Sequence, residues 1–241
     1  MMGQRNKPIF GASVVDWVAP PSPNVQDLSG GYAILERLDA ASHSQELFEA
    51  NLQSDQIWDY LPYGPFKTEP SYRAWIEEVA LQSDPTFFAI RNRASGRSEG
   101  VASYLRIAPE AGSIEVGHIN FSPRLQRTAA ATEAIYLMMN WAFEAGYRRF
   151  EWKCDALNLA SCRAAQRFGF SYEGVFRQAT VVKGRNRDTA WFACIDKEWS
   201  ELRAAYEAWL DPTNFDDDGG QLRSLADLTG PVLVARDPRT S

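Results

Sequence analysis

The run Phe121-Ser-Pro-Arg-Leu-Gln-Arg-Thr-Ala-Ala-Ala-Thr-Glu-Ala-Ile135 constrains the fold more than any other stretch. It reads as a strand end, a turn of small residues and a helix start. The helix that follows, Thr128 to Ala145, carries Ile135, Met138, Met139, Trp141 and Ala142 at helical spacing and stops at Gly146, a C-cap residue. Ahead of the run lie three strand-like segments, Thr86 to Arg93, Glu99 to Ile107 and Ser113 to Phe121, with turns marked by Gly96 and by Pro109 to Gly112. That series predicts an antiparallel meander. A strand feeding a helix through a small-residue turn aims unpaired backbone N–H groups and the positive end of a helix dipole at one point, so an anion, and a phosphate in particular, is the first ligand expected there.

The rest of the chain supplies further strands and helices. Tyr32 to Leu38 reads as a strand, Asp39 as the N-cap of a helix through Glu46, Leu47, Phe48 and Leu52, and Glu69 to Leu81 as a second helix with Trp75 and Ile76 on its apolar face. Arg149 to Cys154 returns as a strand, Asn158 to Phe168 as a helix closed by Gly169, and Ser171 to Val182 pairs with Thr189 to Asp196 across the turn Lys183 to Asp188. The domain plan is an extended arm over residues 1–30, rich in proline and glycine, a main domain over 31–210, and an acidic, partly irregular tail over 211–241. Asn214, Asp216, Asp218 and Gly219 imitate the start of a calcium loop. Leu225 stands where that loop needs a bidentate glutamate, so no metal is expected.

Composition removes several function classes. A net charge of −6 argues against a nucleic-acid partner. No apolar run approaches the ~20 residues of a membrane span, and the short apolar stretch after Lys7 is broken by Asp16, so neither a span nor a signal peptide is expected. The three cysteines, Cys154, Cys162 and Cys194, are odd in number and lack metal-type spacing, which suits core thiols in a reducing, cytoplasmic setting.

With these elements in order, the chain resembles the GNAT superfamily of acetyl-CoA-dependent N-acetyltransferases, in particular its RimJ/RimL-like branch. The resemblance rests on Gln126, Arg127, Thr128, Ala129, Ala130, Ala131 and then Thr132-Glu133-Ala134 in the pyrophosphate-loop position. It extends to Asn158 and Ser161, Phe168-Gly169-Phe170, Glu173-Gly174, and the Gly184 to Asp188 turn, and to Leu61-Pro-Tyr-Gly-Pro-Phe66 in the first half. Ala129 stands where the family usually has glycine, a change that ordinary helical angles at a helix start accommodate. The resemblance implies an α+β fold, a GNAT-like central mixed, mostly antiparallel sheet of about six to seven strands flanked by helices. It implies acetyl-CoA as the acetyl donor, with no metal, and a primary amine as acceptor, a protein N-terminus or a small molecule. The oligomeric state is left open, a homodimer included.

The site residues follow from that chemistry. The N–H groups around Gln126, Arg127, Thr128, Ala129, Ala130, Ala131 and Thr132 would cradle the coenzyme A diphosphate, and Ala130→Asp would block it. The strand end at Phe121 and Ser122 would splay and pair with the pantetheine arm, helped by Asn158, which is equally suited to capping a helix. The superfamily tyrosine falls at Ala165. In the RimL-like branch a serine stands at Ser161, the candidate acid, although a first-turn helix serine needs no such role. Glu115 and His118 are candidate bases; three apart, they occupy opposite faces of a regular strand unless a bulge intervenes. Trp58, Tyr60, Tyr63 and Phe66 would wall the acceptor cleft or simply cover the core. Glu133 is expected to complement its helix dipole, and His43 to lie at the surface. Cys154 and Cys162 have no histidine partner in a recognisable pattern, so an acyl-enzyme is not expected. Two readings stay open at this point: a direct-transfer N-acetyltransferase, or a catalytically degenerate GNAT-like module that binds coenzyme A or a protein partner without turnover.

Overall fold

A computed structural model describes residues 9–217 and 219–240. Its strands are β1 (Asp27–Ser29), β2 (Ala33–Arg37), β3 (Thr86–Asn92), β4 (Arg97–Ala108), β5 (Ser113–Phe121), β6 (Arg149–Asp155), β7 (Ser171–Val182) and β8 (Arg185–Ile195). They form one sheet in the order β1-β2-β3-β4-β5-β6-β8-β7. β5 and β6 run parallel, and every other neighbouring pair is antiparallel. The reason is connectivity. Hairpin turns join antiparallel neighbours, whereas a parallel pair needs a crossover. Here the crossover is α3 (Ala129–Glu144), the helix of the opening sequence run. The mixed, mostly antiparallel α+β sheet is as expected, with one strand more than the sequence suggests. That strand, β1, has three residues and exists only through its pairing with β2.

Alternation along the central strands feeds a core on each face. Phe88, Ile90, Ala102 and Tyr104 pack with α3, α4 (Leu159–Arg167) and α5 (Asp196–Leu210), while Phe87, Ala89 and Val101 pack with α1 (Ala40–Asn51) and α2 (Glu69–Ala80). The helix starts match the sequence expectation: Asp39 accepts from the Ser42 N–H, Thr68 from that of Ser71 and Asn158 from that of Ser161. α5 was not anticipated, although Trp199, Leu202, Tyr206 and Trp209 bury one face at helical spacing.

Three local expectations, for the last hairpin turn, His43 and Glu133, are corrected. β8 begins at Arg185, so the hairpin turn is the pair Lys183-Gly184, both with positive φ (48° and 74°), which suits a tight hairpin. His43 is buried, its Nδ1 accepting from the Asp39 N–H at 3.0 Å and its Nε2 3.4 Å from Glu36. The acidic, partly irregular tail packs onto the main core: α6 (Leu225–Thr229) buries Leu225, the Tyr172 N–H donates to the Ala235 carbonyl, and Asp237 is buried. Glu133 does more than face a dipole. Its carboxylate accepts from the N–H groups of Gly31, Tyr32 and Ala33 at 2.8, 2.6 and 2.6 Å, pinning the start of β2 to α3. An alanine there removes the acceptor from three backbone donors and leaves the buried one of Ala33 away from water. Glu133→Ala is expected to destabilise the fold by roughly 3 kcal/mol, read as a lower urea midpoint with an unchanged denaturant slope.

Candidate active site

β5 and β6 pair only from Ser113–Arg149 to Val116–Trp152. Beyond that point β5 stays with β4 and β6 with β8, so the sheet parts in its middle. The gap opens into a cleft of about 2010 Å³. Gly117, His118 and Ile119 form one wall, Trp152, Cys154 and Asp155 the other, and the first turn of α3 stands at its head. The splay expected at Phe121 and Ser122 thus begins four residues earlier.

A bulge aims one wall. Val101 pairs with Asn120 and Ser103 with Gly117, so Ala102 faces both His118 and Ile119. His118 takes the extra turn with φ 50°. The bulge brings Glu115 and His118 to the same cleft, on the α2 side of the sheet, where the His118 ring stacks on Tyr63 at 5.6 Å and lies 5.0 Å from Phe87. The alternative that the spacing left open is the one found.

At the head of the cleft the N–H groups of Leu125 and Gln126 turn back to the Ser122 carbonyl, and Arg127 adopts a left-handed φ of 63°. Thr128 caps α3 by accepting from the Ala131 N–H at 3.1 Å. The N–H groups of Arg127, Ala129 and Ala130 find no partner among the described residues. The left-handed residue is Arg127 and not Ala129, so the methyl at 129 brings no backbone strain.

Charge is concentrated on the floor. The buried Glu115 carboxylate lies 2.7 Å from the Arg106 guanidinium and 2.9 Å from Lys153 Nζ, and Lys153 reaches Glu151 at 2.7 Å and sits 3.7 Å above the Trp191 ring. Burial pushes the Glu115 carboxyl up, and the two cations pull it back. His118 is pushed down to about 4 by burial, with Arg106 and Arg187 adding to the shift. Its Nδ1 is 3.1 Å from the Tyr63 hydroxyl, whose own acidity burial suppresses. Among the described residues no group of His, Cys, Asp or Glu is arranged to hold a metal, and no helix is long and apolar enough to cross a membrane.

Comparison with known proteins now decides the family. The model of the acetyltransferase (GNAT) domain matches residues 33–171, more than half of the chain. The chain belongs to the GNAT acetyltransferase family. A solved GCN5-related N-acetyltransferase from Brucella melitensis is 43% identical with a TM-score of 0.88, covering 90% of this chain and 100% of that one. A probable GNAT-family acetyltransferase from Chromobacterium violaceum ATCC 12472 is 41% identical with a TM-score of 0.75, covering 81% and 100%. The microcin C7 self immunity acetyltransferase MccE, solved with acetyl-CoA and AMP, shares the fold at 20% identity and a TM-score of 0.62, covering 69% and 93%.

Within this GNAT fold the residues singled out from sequence divide. Phe121, Gln126, Arg127, Thr128, Ala129, Ala131, Thr132, Asn158, Ser161, Glu115, His118 and Tyr60 line the cleft. Ser122 does not; it is buried in the turn, its N–H donating to the Glu99 carbonyl. Ala130 is buried in the core with only its N–H near the turn surface, so the expected Ala130→Asp lesion would damage packing as much as binding. Trp58, Tyr63 and Phe66 pack with Tyr72 and Trp75 in the core on the α2 side of the sheet, Tyr63 reaching the cleft through His118. Ser161 accepts from the Trp152 indole at 3.0 Å. Cys154 and Cys162 are free and buried, 3.6 Å apart, and the Cys154 thiol is pushed up by its hydrogen bond to Cys162 and by burial. Arg106, Lys153, Arg187 and, on α4, Arg163 line the cleft without having been foreseen. Only Lys153 left a trace in the sequence, as a charge alternating with Trp152 and Cys154 along a strand.

The His118 shift carries a stability signature. A folded-state value below the unfolded 6.5 means the unfolded chain binds the proton more readily, so His118 contributes fully above pH 6.5 and its share is lost as pH falls toward 4. Chemical denaturation should show wild type losing about 2–3 kcal/mol more than His118→Gln between pH 7 and 4.

Proposed function

We propose that the chain moves an acetyl group from acetyl-CoA to a primary amine by direct attack within a ternary complex. The observation that carries this reading is the parted pair β5 and β6, opening onto a helix start whose first N–H groups have no internal partner. The N–H groups of Arg127, Ala129 and Ala130 suit a diphosphate: the left-handed turn at Arg127 converges them, and the α3 dipole adds favourable charge. The edge of β5 beyond Val116, lacking a strand partner on the β6 side, suits amide hydrogen bonding along an extended pantetheine arm. When bound, acetyl-CoA supplies an activated acetyl group whose transfer forms an amide and releases a thiol.

The side chains then divide the proton work. Ser161 accepts from Trp152 and lies against the Cys154 thiol, and its O–H can turn from that thiol to donate toward the departing sulfur. A thiolate leaves readily with a pKa of about 8.5, so a weak donor suffices. Glu115, held between Arg106 and Lys153, fixes the floor charge and is poorly placed to take a proton directly. His118 is neutral at pH 7 but weakly basic, and it serves best as an acceptor for the amine N–H, its ring oriented by Tyr63. An α-amino group, roughly a tenth neutral at pH 7, fits such a site far better than a lysine, neutral about once in several thousand. A protein N-terminus or a small low-pKa amine is therefore the acceptor class. Three free buried thiols fit a reducing, cytoplasmic setting.

Two measurements test this reading. Ala129→Asp brings a carboxylate to the turn where the diphosphate would lie, and should weaken acetyl-CoA binding by more than tenfold in calorimetry with the melting temperature held. Ser161→Ala should lower acceptor-dependent thiol release about tenfold at unchanged acetyl-CoA affinity. Wild-type protein that binds no acetyl-CoA would overturn the reading, and binding without release across N-terminal peptides, amino acids and polyamines would make it a binding module.

A further inference from the structure

Arg187 is a cation of the cleft that has no counter-charge among the described residues. It lies on β8 opposite Thr180 in the hairpin that curls over the gap, and the hairpin is held there by Lys183 Nζ, which donates to the Trp58 carbonyl at 2.9 Å. Its guanidinium faces the cleft, close enough to both parted strands to act electrostatically on His118 and on Cys154. Arg106 and Lys153 share Glu115, whereas the Arg187 side chain makes no hydrogen bond or ion pair among the described residues, and its Nε is enclosed without a partner.

The enclosed Nε is a donor without an acceptor, while the rest of the half-buried guanidinium is presented to the cleft, so a ligand acceptor there would complete it. The planar fork of the guanidinium matches a carboxylate in bidentate geometry better than any neutral group. The position, on the β6–β8 side of the gap beyond Asp155 and within electrostatic reach of His118 on the facing wall, lies away from the first turn of α3, so it suits the acceptor rather than the diphosphate.

Resting on the acetyl-transfer reading above, we propose that Arg187 anchors a carboxylate on the acceptor. The amine delivered to the cleft then belongs to a molecule that carries an acid group near it, either a free amino acid or a peptide whose first residue is acidic. Arg187 is thus a specificity-determining residue, and the remaining cations of the floor serve Glu115.

The test compares matched acceptors in the thiol-release assay with acetyl-CoA. One arm sets an amino acid against its amide, and the other sets an Asp-initiated tetrapeptide against its Asn-initiated twin, with rates divided by the neutral amine fraction. The carboxylate member of at least one pair is expected to win by roughly tenfold or more in acceptor kcat/KM, and the arm in which it does so identifies the source. Arg187→Gln should erase that preference through the acceptor KM while acetyl-CoA affinity and melting temperature hold, and Arg187→Lys should keep part of it. An unchanged preference in Arg187→Gln, equal rates within both pairs, or a loss confined to acetyl-CoA affinity would overturn the assignment, the last by giving Arg187 to the thioester. If acetyl-CoA binds but no acceptor turns over, calorimetry of the same pairs on the coenzyme A complex decides it, equal or absent binding counting against. Failure of acetyl-CoA itself to bind would instead remove the acetyl-transfer reading.

Discussion

The parallel contact between β5 and β6 is four residues long, and the rest of the site depends on that brevity. A parallel pair can be made only by carrying the chain over the sheet in a helix, and α3 is that helix. Its start must therefore sit at the end of β5, beside the place where the two strands separate. One topological requirement produces both a gap in a sheet and a row of unpaired N–H groups at its head. Two devices keep the arrangement rigid: the bulge at His118, which turns β5 away from its regular path, and the Glu133 carboxylate, which ties α3 to β2 through three backbone donors.

The electrostatics of the floor follow from burial. Glu115, Lys153 and Glu151 point to one face across β5 and β6, with Arg106 at one end and Arg149, paired to Glu173, at the other. Opposite signs alternate along this row. Each inner member has a partner on both sides, so taking one away leaves its neighbours buried with only half of their compensation, a cost that grows with burial. The row gives a fixed field beneath the cleft, and Arg187 stands outside it with no counter-charge among the described residues.

Much of the fold is legible in the sequence because its signals are local. Asp39, Thr68, Thr128 and Asn158 cap helices through their own side chains, and the strands of the meander are bounded by turn residues, so short-range chemistry marks them. β1 escapes notice because its three residues become a strand only beside β2, and His43 reads as a surface residue because nothing near it in sequence reveals what covers that helix. The site is legible by the same measure. The α3 turn is found from its small residues, whereas Arg187 is invisible until β8 is folded over the gap.

The sequence by itself determined the strand–turn–helix junction, the helix caps and the order of elements that marks a GNAT chain, since each depends on residues within a few positions of one another. Tertiary structure decided the rest. It placed Glu115 and His118 on one side through a bulge that strand periodicity cannot foretell. It turned Glu133 from a dipole partner into a clamp, and it sent Trp58, Tyr63 and Phe66 under the site rather than into it. The physical reason is that burial and pairing are properties of contacts between segments far apart in the chain, and local pattern fixes an element without fixing its neighbours.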